Sequence, residues 1–154
     1  MIRSLALVAL LALPLSQTGG ESLRTSAAAV AQAHREASAL EKTDPAAAAA
    51  LLSAQLAKSM PPGAAAHALR ADLFARVSEL RLAAKDAQGA LQAARAGLSE
   101  ETGKPTALTA LLKLREGEAL EALSRDDLAV DAYSQVIAVA KQLLDERRGT
   151  GRQP

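Results

Sequence analysis

From Ala64 to Ala84 the residues Ala66, Leu69, Leu73, Val77, Leu80 and Ala84 recur at steps of three and four, the spacing of one helix face. The same spacing returns in Ala87, Ala90 or Leu91, Ala94 and Leu98, and again in Leu108, Leu111 or Leu112, Ala119 and Leu123. A last stretch carries it through Ala129, Tyr133, Val136 or Ile137 and Ala140. Breakers stand between these stretches. Thr43-Asp44-Pro45 sets a capping side chain before a proline at a first helical position. Pro61-Pro62-Gly63 is the strongest stop in the chain. Lys85-Asp86, Thr102-Gly103-Lys104-Pro105 and Ser124-Arg125-Asp126 divide the C-terminal half. Arg147-Arg148-Gly149 reads as a helix end, with cations at the negative pole and glycine beyond, and a polar tail runs over 149–154. The 38 alanines and 26 leucines, against eight valines and isoleucines together, favour helix over strand everywhere. The fold class is all-α.

The turns are short, so consecutive helices are expected to lie antiparallel. Pairing them gives three αα-hairpins: 22–42 with 45–59, 64–84 with 87–100, and 106–124 with 126–147. Alanine at the crossings lets helix axes approach at the close end of the usual ~8–10 Å range. Three such units are about the minimum for a helical solenoid. Asp72 with Arg76, and Glu121 with Arg125, are acid-before-base pairs at i,i+4, expected on solvated helix faces.

The first twenty residues differ in kind from the rest. Arg3 precedes an unbroken apolar run, Leu5 to Leu13, and Pro14 and the small or polar residues through Gly20 come after it. That is the layout of a secretory signal peptide, and the run is about half the ~20 residues a transmembrane helix needs. Cleavage after Gly20 would leave 21–154 with seventeen charges of each sign, the folded domain spanning 21–148. The expected location is periplasmic or secreted. With no cysteine, a lipoprotein anchor, disulfides and thiolate zinc sites are excluded.

Laying the second hairpin over the third gives a period of 39 residues, with Ala90 over Ala129. In that register the third hairpin carries small Gly117 in its first helix and Leu120 one turn on. Its second helix begins Arg125-Asp126-Asp127-Leu128-Ala129, with Tyr133 and Ile137 at successive turns. The second hairpin has Phe74, Val77 and Ser78, then Ala90 and Leu98. These residues resemble the tetratricopeptide repeat. Lys113, Glu116 and Arg81 depart from that family's pattern, and 39 exceeds its usual ~34 residues. The resemblance implies a short solenoid whose first helices line a concave surface that binds a peptide or helix. It places Asp72, Ala75, Glu79 and Leu82 of the second hairpin on that surface, with Leu111, Leu114, Glu118 and Glu121 of the third. The expected surface is an apolar floor with four acids and no base, suited to a partner carrying Lys or Arg among apolar residues.

Other chemistries find little to stand on. A net charge of +1 and 1% aromatic residues argue against nucleic acid as a partner. His34 and His67 fall on different helices without a partner at metal-ligand spacing, and both are expected at the surface. Gly89 and Gly97 fit close helix packing better than phosphate binding, since neither follows a strand or opens a helix. The sequence therefore predicts a non-enzymatic scaffold without cofactor or metal, binding another envelope or secreted protein. A self-associating structural bundle, supported if Leu52, Leu56, Leu143 or Leu144 were exposed, is the alternative, with a small periplasmic chaperone as a third reading.

Overall fold

The computed structural model describes residues 15–150, which form six helices and no strand. They are α1 (Leu15–Leu40), α2 (Pro45–Leu56), α3 (Ala64–Ala83), α4 (Ala87–Glu100), α5 (Ala107–Ala122) and α6 (Asp126–Thr150). The helix starts follow local chemistry. Asp44 accepts a hydrogen bond from the Ala47 amide at 2.9 Å, with Pro45 in the first turn of α2. Asp86 does the same for α4 through the Gly89 amide at 2.8 Å. At α5, Thr106 and Thr109 form a reciprocal capping box, and both hydroxyls donate to Glu101.

Two of the turns are the same turn. After α3 the chain passes through Lys85 at φ 65°, and after α5 through Ser124 at φ 56°. In each case the next amide reaches back to close the helix, Asp86 to the Arg81 carbonyl at 2.8 Å and Arg125 to the Leu120 carbonyl at 2.9 Å. Lys85 and Ser124 stand 39 residues apart, the period of the sequence. The turn from α1 to α2 is built differently: Thr43 and Asp44 both donate to the Leu40 carbonyl, and no residue there is left-handed.

Each helix packs against the next, and across the hairpins α1 touches α3 and α3 touches α5. One core cluster joins α1, α2 and α3, with Ala93 of α4, around Leu52, Leu73, Val77 and Leu80. Another joins α4, α5 and α6 around Leu91, Leu120 and Ala129. A third, smaller one sits where α3 meets α5, at Ala71, Ala75 and Leu112. The fully buried leucines contribute about 2 kcal/mol each, and the alanines between them set how close the helices come. Gly97 marks a close approach of α4 to α3 and α5. A Cβ there would lie 3.0 Å from Phe74 Cβ and 2.5 Å from Leu112 Cδ2. Gly117 likewise lies under the Tyr133 ring. Gly89 has another reason: its amide takes the Asp86 cap, and a Cβ would run into that same carboxylate.

The helix bounds differ from expectation at both ends of the described residues. α1 already begins at Leu15, so Leu15–Gly20 of the expected leader are helical; residues 1–14, with Arg3 and the apolar run, lie outside the described residues. α6 continues through Gly149 to Thr150 because Gly149 does not take the left-handed conformation that would end the helix. Residues 151–154 of the expected tail are outside the described residues. No helix among the described residues is long and apolar enough to cross a membrane.

Candidate binding surface

Packing of α1 on α3 and of α3 on α5 brings the first helix of each pair side by side. Their polar residues meet in a chain of ion pairs. Glu41, just past α1, accepts from Arg76 Nη2 of α3 at 2.5 Å, and Arg76 Nη1 reaches Glu79 at 2.6 Å. Glu79 is also ion-paired with Arg115 Nη2 of α5 at 3.2 Å, and Arg115 Nη1 reaches Glu118 at 2.8 Å. His34 Nε2 lies 3.5 Å from Asp72 Oδ2, adding a second link between α1 and α3. At the other end the Tyr133 hydroxyl donates to Glu121 at 2.7 Å.

The ladder repeats. Arg76 and Glu79 recur 39 residues on as Arg115 and Glu118, and each arginine joins its own i+3 glutamate to a glutamate of the preceding pair. Burial works against the Arg76 charge, but Glu79 and Glu41 outweigh it and hold the guanidinium above its ordinary value. The arginines sit low and the acids stand high. Arg76 and Arg115 expose 22% and 19% of their side chains, whereas Asp72 exposes 56%. Glu41, Asp72, Glu79, Glu118 and Glu121 against two arginines leave this face net negative.

The expected surface residues divide accordingly. Asp72 and Glu121 are exposed, Glu79 and Glu118 are half-buried inside the ladder, and Leu111 and Leu114 are partly open beside it. Leu82 is half-buried against the α4–α6 core. Ala75 is not on the surface at all, because α5 covers it with Leu112. The expectation of acids without bases is also corrected: Arg76 and Arg115 are the bases. Nor do the i,i+4 pairs form as expected, since Asp72 faces His34, Arg76 faces Glu41 and Glu79, and Glu121 holds Tyr133. The repeated Arg-x-x-Glu at the 39-residue offset is the sequence signal that would have found both arginines.

Two further clusters brace the stack. His67 Nδ1 and Arg70 Nε both bind Glu100, at 2.7 and 2.8 Å, while Arg70 Nη1 donates to the Leu56 carbonyl. They edge an open cavity of about 510 Å³ beneath the Pro61-Pro62-Gly63 turn. Between α4 and α5, Glu116 is buried and takes Arg95 at 2.8 Å and Lys113 at 3.0 Å. Lys113 and Glu116, two of the residues that depart from the repeat pattern, thus form a charged brace with Arg95. Burial works to raise the Glu116 and Glu100 carboxyls, yet their cationic partners outweigh it and hold both below the ordinary value. Both histidines are thus paired with acids across helices, which spacing along one helix does not reveal. No group of three or more His, Asp and Glu among the described residues is placed to hold a metal ion.

No family model matches the sequence, no curated protein matches it, and no solved structure matches the fold.

Proposed function

We propose that the protein is an exported, non-catalytic scaffold, a short solenoid of three tetratricopeptide-like hairpins. It holds a segment of another envelope or secreted protein across the α1–α3–α5 face. The observation that carries this reading is that face itself. Three first helices lie in a row, with low-lying arginines, higher acids and the partly open Leu111 and Leu114 beside them. A partner segment with Lys or Arg among apolar residues meets net negative charge there and gains orientation from it. The ladder acids Glu79 and Glu118 stiffen the face, and Asp72 and Glu121, outside the ladder, are the ones left to meet the partner.

The test compares capture from the native envelope by the full chain and by an Asp72→Asn, Glu121→Gln variant. These substitutions leave the arginine ladder in place, and circular dichroism checks that both proteins are equally helical. The expected result is a specific protein whose retention falls several-fold in the variant and weakens with added salt. Equal retention by both proteins would remove the acidic face from the reading. Salt-insensitive capture of many unfolded proteins would favour a chaperone instead.

A further inference from the structure

The last helix leaves one side uncovered. α6 packs on α5 alone, through Ala129, Ala132 and the half-buried Tyr133. On the flank next to that contact Val130, Ile137 and Leu144 are 61%, 57% and 54% exposed, with exposed Ala140 between the last two. Of the four leucines that would mark an open flank, Leu52 is buried, Leu56 and Leu143 are half-buried, and Leu144 is exposed. The three large residues are spaced seven apart. That repeat keeps one face aligned when a helix pairs lengthwise with another in a left-handed supercoil. The 39-residue offset points the same way. Val130 corresponds to Leu91 and Ile137 to Leu98, and in α4 those leucines pack against Leu120 and Leu112 of α5. The open face of α6 is therefore built like a face that a helix covers.

Its flanking charges select the occupant. Along one edge, again seven apart, run Asp127, Ser134, Lys141 and Arg148. Asp126 and Asp131 add to the acidic end, and at the other end Lys141, Arg147 and Arg148 outnumber Asp145 and Glu146. A second copy lying parallel would stack acid on acid at one end and base on base at the other. Lying antiparallel, it sets Asp127 of one copy beside Arg148 of the other, and Val130 beside Leu144. The helix dipoles also oppose favourably in that arrangement.

We propose that α6 pairs with α6 of a second copy of this chain, antiparallel, about a two-fold axis near Ile137. None of the residues involved belongs to the acidic face, so the pairing stands apart from the scaffold reading. With 25 residues, α6 is about 37 Å long. A strip of that length buries a few hundred Å² per copy, under the ~800 Å² usual for stable complexes, so the dimer is reversible.

The test is light scattering on the full chain across the micromolar range, beside Ile137→Asp, with circular dichroism on both. The mass of wild type is expected to rise toward twice the monomer, while the variant stays monomeric and equally helical. Because the chain has no cysteine, Ile137→Cys adds a unique thiol near the axis. Oxidation should give a single cross-linked dimer, and Ala31→Cys, on the exposed face of α1, should not cross-link. A monomer at every concentration, or a dimer unaffected by Ile137→Asp, overturns the proposal. So does Ile137→Cys cross-linking only to Ala31→Cys, which would mean that copies stack end to end.

Discussion

Tyr133 is the one tyrosine of a chain without tryptophan, which makes its phenol readable against a clear background. The ring lies over Gly117 and its hydroxyl donates to Glu121. Burial, and then the Glu121 carboxylate, push the phenol up to about 12. Both effects disfavour the phenolate in the folded protein. The folded state thus keeps its proton between pH 10 and about 12, while the unfolded state has begun to lose it. The resulting stability is present below pH 10 and fades as pH rises through that window. An absorbance titration of the phenolate band should place the midpoint at about 12. In Glu121→Gln the midpoint should fall part of the way toward 10, since burial remains. A wild-type midpoint at 10 would mean the ring does not sit in the Gly117 notch. At this scale sequence reading had mixed returns. It marked Gly117 as the small residue of its helix from the 39-residue register, and Gly97 as a close crossing because glycine inside a helix needs a reason. It assigned Glu121 to Arg125, because i,i+4 spacing carries no information about what another helix brings within reach.

The helices themselves were legible because their ends are local. Asp44-Pro45, Asp86 and the breakers at Pro61-Pro62-Gly63 are satisfied within a few residues of where they stand, so α2, α3 and α4 start where the sequence puts them. What joins one helix to the next was harder to see. Glu116, which departs from the repeat pattern in sequence, is the buried brace between α4 and α5, held by Arg95 and Lys113. Removing it in Glu116→Ala should cost about 1 kcal/mol, less than a fully buried pair because Arg95 is half exposed. The pH dependence follows from its direction. A carboxyl held below 4.5 in the folded state binds fewer protons there than when unfolded, so its stabilisation is present above that value. It is lost as pH falls through the folded value, and Glu100 adds to the same trend. The urea midpoint should therefore drop below pH 4.5. The drop should be shallower in Glu116→Gln, which no longer titrates there. An unchanged slope would mean that Glu116 is not ion-paired in solution.

In the whole molecule, contacts run almost entirely between neighbours in sequence, with α1–α3 and α3–α5 as the ties across. Such a stack is held as a sum of nearest-neighbour interfaces, and its C-terminal helix has one neighbour where every other helix has two or more. α3 touches α1, α2, α4 and α5, and its buried residues reach from Ala66 to Leu80. α6 touches α5 alone, and at 25 residues against 16 it is the longer partner by nine. Amide hydrogen exchange should therefore be slowest in α3 and α4 and fastest in the second half of α6, past Ala140, where α5 no longer runs alongside. Dilution sharpens the contrast. If α6 pairs with its copy, protection on both sides of Ile137, from Val130 to Leu144, should rise with concentration, while α3 does not change. Uniform protection along the chain would mean a single cooperative core rather than a serial stack. Protection of α6 equal to that of α3 in dilute monomer would mean its open face is already covered from within the chain.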